Sequence, residues 1–133
     1  MSLFRHVSTL LSQTEAVNTA KTGVSYVIIS DESDGVNDTQ QGFKAFFDVT
    51  QDGGATSPTT NAQVQTSHDG VNWVAAVSAT QLAANGAVHE FKDIAALGPY
   101  VRAVSTLAGG TLPNHTIVVK LASNGPFRLV VAG

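Results

Sequence analysis

The chain has 133 residues, 13% of them charged, and a formal net charge of −3 at neutral pH. This length fits a single domain of ordinary size. The slight negative charge, without a basic patch, argues against a nucleic-acid partner. The absence of cysteine excludes disulfides and thiolate chemistry, and no apolar run is long enough to predict a membrane span.

The first 22 residues differ from the rest of the chain because their apolar side chains fall at helical spacing. These side chains are those of Leu3, Phe4, Val7, Leu10 and Leu11. Two interpretations fit them: a short amphipathic helix over about residues 3–12, or an extended arm that orders only against a partner. We therefore divide the chain into an N-terminal arm, residues 1–22, and one domain, residues 23–133.

From Gly23 onward, short runs rich in β-branched and aromatic residues are separated by Gly, Pro, Asn and Asp turns. The runs predicted as strands cover residues 24–30, 43–50, 60–66, 73–77, 88–91, 100–107, 115–122 and 127–131. Between two of them, residues 78–86 are predicted to form a loop with one helical turn. The even spacing leaves no room for crossover helices, so we predict an all-β fold, an antiparallel β-sandwich or jelly roll of about eight strands.

The most specific local pattern is Asp69-Gly70, followed closely by the only tryptophan, Trp73. Glycine adopts positive φ without steric cost and aspartate tolerates it, so this pair predicts a tight hairpin turn. Trp73 offers the largest apolar side chain in the sequence and is expected to be buried. A second interpretation makes Trp73, Tyr26 and Tyr100 an exposed platform on which a sugar stacks.

The alternation of the strands predicts which other side chains form the core. They are Phe47, Val101 and Leu121, with either Val27 or its neighbour Ile28. Arg102 lies in the middle of a predicted strand, and we expect it to face outward or to pair with Asp48 or Glu90.

The sequence gives no reason to predict a catalytic, cofactor or metal site, so we expect a protein that is not an enzyme and has no cofactor. Its histidines, His6, His68, His89 and His115, lack metal-binding spacing. No serine stands in a G-x-S-x-G motif.

Two loop types need separate interpretation. The acidic run at residues 31–38 offers oxygen ligands for calcium, but its spacing differs from that of a calcium-binding loop, and a solvated loop is favoured. The pairs Gly53-Gly54 and Gly109-Gly110 lack the Lys-Ser/Thr of a phosphate-binding loop and predict turns.

Several short motifs follow one another in order between residues 43 and 122. They are Phe47-Asp48-Val49-Thr50, Gln65 with Ser67, Asp69-Gly70 with Trp73, Gly98-Pro99-Tyr100-Val101-Arg102, and Gly109-Gly110-Thr111 with Pro113. In this order they resemble the small virion proteins of tailed bacteriophages that are found among the head and head–tail structural genes. Similar sandwiches in that group serve as capsid decoration, neck and tail components.

The resemblance implies a capsid decoration, or cement, protein that is made in the host cytoplasm and located on the virion. Its partner would be the major capsid protein, bound through the five apolar side chains of residues 2–22. Several weak arms bind more tightly together than one, so we expect an oligomer and favour a trimer. The alternatives are a carbohydrate-binding module for the host surface and a ring-forming tail or connector subunit.

Overall fold

The computed structural model describes residues 6–30, 42–52, 58–109 and 112–132. These residues form nine strands and no helix. The strands are β1 (His6–Val17), β2 (Tyr26–Ser30), β3 (Phe43–Asp52), β4 (Thr59–Ser67), β5 (Val74–Ser78), β6 (Gly86–Ile94), β7 (Tyr100–Ala108), β8 (Asn114–Ser123) and β9 (Phe127–Val131). Each of the eight predicted strands is found, and β1 is the additional one. The helical turn expected within residues 78–86 is not formed.

The strands are arranged in two antiparallel sheets, which confirms the predicted sandwich. Sheet A has the order β1-β8-β3-β6, and sheet B has the order β5-β4-β7-β2-β9. Strand β1 pairs with β8, β2 with β7, β3 with β6, and β4 with β5. A long antiparallel hairpin that rolls up on itself produces these four pairs, so the first eight strands form a jelly roll. Strand β9 extends sheet B by pairing with β2.

The core lies between the two sheets and follows from the alternation of the strands. Its most deeply buried side chains are Ala45, Phe47, Val49, Ile117, Val119 and Leu121 from sheet A, and Ala62, Val64, Val101 and Ala103 from sheet B. The core predictions for Phe47, Val101 and Leu121 are therefore confirmed. Of the alternatives in β2, Ile28 is partly buried and packs against this cluster.

For residues 6–12, strand β1 rules out the helix that was one of the two interpretations of residues 3–12. His6–Val17 pairs with β8, and the register shifts by one residue between Thr9 and Leu11. Such a bulge lets two successive side chains face the same side of a sheet. Leu10 is 2% exposed and Leu11 packs against the same core. With Val7 they reproduce the i, i+3, i+4 spacing of a helix, although the segment is extended.

The predicted boundary at residue 22 does not separate an arm from the sandwich. Strand β1 is an edge strand of sheet A, and the segment after it is tied to sheet B. The backbone N–H of Gly23 donates to the carbonyl of Ala103 at 2.7 Å, and that of Ser105 donates to the carbonyl of Lys21 at 2.7 Å. Residues 6–23 therefore form part of the folded domain.

The hairpin predicted at Asp69-Gly70 is present but wider than a tight turn, because residues 68–73 connect β4 to β5. Gly70 has a φ of +79°, as the turn prediction requires. The Asp69 carboxylate accepts hydrogen bonds from the backbone N–H groups of Asn72 and Val71, each at 2.8 Å. These bonds, that of Asn72 first, hold the pKa of Asp69 well below its usual range.

Candidate functional site

The outward side chains of sheet A form rows across the sheet, because its four strands lie side by side in register. We call this surface the sheet A face. It consists of Lys44, Phe46, Asp48 and Thr50 from β3, Ala87, His89, Phe91 and Asp93 from β6, and Thr116, Val118 and Lys120 from β8. One row contains Lys120, Phe46 and Phe91, and the next contains Val118, Asp48 and His89.

An aromatic pair lies on the sheet A face. The ring centroids of Phe46 and Phe91 are 4.9 Å apart, with the ring planes inclined by 54°. Phe46 is half-buried, whereas Phe91, on the edge strand β6, one of two in sheet A, is 73% exposed. Burying an exposed aromatic ring against a partner removes apolar surface from water and lowers the free energy. The Phe46–Phe91 pair is therefore a candidate contact for a partner or ligand.

Hydrogen-bonded pairs flank the aromatic rings along the strands. On one side, Nδ1 of His89 lies 2.7 Å from Oδ1 of Asp48, and both side chains are more than half exposed. On the other side, the Lys44 ammonium pairs with the Asp93 carboxylate. The aromatic pair is thus bordered by polar groups whose orientations are already set.

Beyond the Asp48–His89 pair, an open groove of about 420 Å³ crosses the sheet A face. Its lining residues are Gln13, Thr14, Asp48, Thr50, His89, Thr116 and Val118. The hydroxyls of Thr50 and Thr116, on neighbouring strands, are 2.6 Å apart. The groove therefore presents hydroxyl, amide, imidazole and carboxylate groups over a floor of threonine and valine methyls.

The three predicted anchor residues that the structure describes do not form one surface. Leu3 and Phe4 lie outside the described residues. Val7 is 46% exposed, whereas Leu10 belongs to the core of this chain and Leu11 packs against that core. Val7 is thus the described anchor that the fold leaves most accessible to a partner.

Trp73 is half-buried and lies outside the core, so its predicted burial in the core is wrong. The guanidinium of Arg102 lies 4.3 Å from the centroid of the indole ring, a cation–π contact. Nε of Arg102 also donates to Oε1 of Gln65 at 2.8 Å. The indole follows the loop after β4 and meets an outward side chain of β7, which is why it does not enter the space between the sheets.

The acidic partners suggested for Arg102 are engaged elsewhere. Asp48 pairs with His89, and the Glu90 carboxylate accepts from the backbone N–H and the hydroxyl of Thr80 at 2.5 and 3.1 Å. Of the two alternatives for Arg102, facing outward is therefore confirmed, since it stands between the buried Val101 and Ala103, and its partners are Trp73 and Gln65.

His115 has a structural position. It is 1% exposed, and its Nδ1 donates to the carbonyl of Val17 at 2.9 Å, because a carbonyl can only accept. Nε2 then accepts from the Ser105 hydroxyl at 2.9 Å, whose oxygen accepts from the backbone N–H of Lys21 at 2.9 Å. The buried imidazole thus connects the end of β1 to both sheets.

Phe91 was not singled out from the sequence, although a signal existed. Phe46 stands among the polar positions of an alternating strand, opposite in phase to Phe47. A large apolar residue in that phase has to lie on the outer face. Its neighbour across the sheet depends on strand pairing, which alternation does not determine.

Some predicted features lie outside the described residues, namely the acidic run at 31–38 and the Gly53-Gly54 turn. Within the described residues, no group of three His, Asp or Glu side chains is placed to hold a metal ion. No helix capable of crossing a bilayer is found among them. Comparisons with protein-family models, with curated protein sequences and with solved structures each found no match.

Proposed function

We propose that this protein is a structural component of a tailed-bacteriophage virion, a decoration protein that binds the outer shell of the capsid. The observation that carries the proposal is the jelly-roll pairing of the first eight strands, an architecture used by viral capsid domains among others. Because one fold serves many functions, the proposal also depends on the ordered motifs between residues 43 and 122 that resemble phage virion proteins.

Attachment is assigned to the beginning of the chain. Residues 2–5 directly precede β1 in the sequence, and among the described residues no strand pairs with the outer edge of β1 in sheet A. Backbone groups on such an edge can pair with a strand of another protein. Val7, exposed near the start of β1, adds an apolar contact. The partner is the major capsid protein, while Leu10 and Leu11 stabilise the decoration protein itself.

A pelleting assay tests the proposal. Purified protein is mixed with capsids that lack it, and the capsids are sedimented to measure how much protein they carry. The full-length chain should saturate the capsids at a fixed stoichiometry. A variant without residues 2–5 and the Val7→Ser variant should bind less, since both remove contacts assigned to the capsid.

Val130→Ser is the matched control, because Val130 has nearly the same exposure as Val7, 44% against 46%, but lies on β9 of sheet B. It should bind as the full-length protein does. Failure of the folded full-length protein to bind capsids would refute the decoration role. If the Val7→Ser variant and the variant lacking residues 2–5 both bind capsids as well as the full-length protein does, attachment lies elsewhere on the molecule.

A further inference from the structure

We propose that the groove on the sheet A face is a saccharide-binding site, with Phe91 as the aromatic platform next to it. This inference is independent of the virion proposal, because it follows from the lining of the groove and its neighbouring rings. The ligand class is a neutral oligosaccharide, which presents many hydroxyls together with apolar C–H faces.

The groove combines a mostly apolar lining surface with polar groups placed within it, as a sugar with apolar C–H faces and hydroxyls requires. Six of its seven lining residues carry polar side chains. The Asp48 carboxylate accepts hydrogen bonds, while the hydroxyls of Thr50 and Thr116 both donate and accept. A sugar hydroxyl also donates and accepts, so it can bridge these groups without leaving one of them unsatisfied.

The polar groups are ordered in the absence of a ligand. Asp48 is held by His89 at 2.7 Å, and Thr50 and Thr116 hold each other at 2.6 Å. All four side chains stand on paired strands of one sheet. Such preorganisation lowers the entropy that a bound ligand would otherwise cost.

The aromatic contribution comes from the neighbouring row. Phe91 is opposite Phe46, two positions along β6 from His89 and on the same face of the sheet, so it stands in the row next to the Asp48–His89 pair but outside the groove lining itself. An exposed ring beside a polar groove matches a pyranose, which has an apolar C–H face and hydroxyls at its rim. The groove volume of about 420 Å³ lies in the range of sites for small ligands.

Binding of the purified full-length protein to a printed array of defined bacterial-surface, plant and animal oligosaccharides tests the proposal without any capsid. At least one neutral oligosaccharide should bind above background, and titration calorimetry with that compound should then give a dissociation constant. Phe91→Ala should weaken it about tenfold, as expected for loss of one aromatic contact. Thr50→Val, which removes one hydroxyl from the groove, should weaken it severalfold.

Val74→Ala is the control, because Val74 is 63% exposed on β5, an edge strand of sheet B, as Phe91 is exposed on β6, an edge strand of sheet A. It should leave the affinity unchanged, and melting curves of all variants establish that they are folded. The proposal is overturned if no glycan on the array binds, or if Phe91→Ala binds as tightly as the full-length protein. Loss of capsid pelleting in Phe91→Ala, with no glycan bound, would assign the sheet A face to the capsid instead.

Discussion

The contribution of Trp73 to the free energy of unfolding depends on its contact with Arg102. The indole is half-buried and stacked on a guanidinium, whereas Phe47 is enclosed by the core. We predict that Trp73→Ala lowers the free energy of unfolding by about 1–2 kcal/mol. Phe47→Ala should lower it by about 3–5 kcal/mol, because it leaves a cavity. Urea unfolding of the two variants makes the comparison, and equal losses would mean that Trp73 is a core residue after all.

These two residues also indicate how far sequence reasoning extends at this scale. Phe47 belongs to an alternating strand, and alternation alone places it on the buried face. Trp73 lies at the end of a loop, where no period applies, and its size suggested burial. Arg102, which contacts Trp73, is 29 positions away along the chain. The two residues come together only because β4 pairs with β7.

The hydrogen bonds to the Asp69 carboxylate make the thermal stability of the protein depend on pH. Its pKa in the folded protein is lowered by hydrogen bonds from Asn72 and Val71, relative to an ordinary value of 3.8. A lowered pKa means that the stabilisation is complete above the unfolded value and is lost as the pH falls below it. We predict that Asp69→Asn melts at a lower temperature than the parent at about pH 6, and that the difference shrinks below about pH 4.

Thermal melting of the two proteins at a series of pH values measures this effect. Val71, which is also in the loop and 78% exposed, supplies the control variant Val71→Ala, which keeps the backbone N–H that donates to Asp69. This variant should keep the acid dependence of the parent. A melting difference between Asp69→Asn and the parent that stays constant down to about pH 2 would contradict the linkage.

Among the elements, β1 is where periodicity was most misleading. The segment combines apolar residues at helical spacing with a bulge that turns Leu10 and Leu11 toward the same core. The sequence does contain the information that these leucines are buried together. It does not contain the partner strand, β8, whose pairing with β1 makes the extended form more stable than a helix.

This element has a measurable role in stability. We predict that Leu10→Ala lowers the free energy of unfolding by about 2–5 kcal/mol, because Leu10 is buried. Val7→Ala should change it by no more than about 0.5 kcal/mol, because Val7 is half exposed. Denaturant unfolding compares them. A Leu10→Ala variant as stable as the parent would show that β1 is detached in solution, as an independent arm would be.

For the molecule as a whole, the fold class could be predicted but the pairing of strands could not. Period-two alternation and turn residues identify strands and the side that each one buries. They do not identify neighbours, and β1 pairs with β8 across more than half of the chain. The sheet A face depends on such pairings, since Phe46 and Phe91 meet only because β3 lies beside β6. The candidate groove was therefore beyond the reach of sequence alone.

If the protein decorates a capsid as proposed, the number of chains that act together determines how tightly it binds. In the proposed attachment, residues 2–5 and Val7 would offer each copy only a small area for contact with the capsid, because Leu10 and Leu11 are used within the fold. A small contact of this kind binds weakly once the cost of association is included. Three linked copies on a symmetric site would bind far more tightly, since the second and third contacts form at high effective concentration.

We therefore predict that the free protein is a trimer. Sedimentation equilibrium should give a mass three times the 13.8 kDa of one chain. A closed ring of six or twelve copies would favour the tail or connector alternative instead. A protein that remains monomeric at concentrations that saturate capsids would contradict the multivalent mechanism, because a single attachment segment would then be sufficient for stable binding.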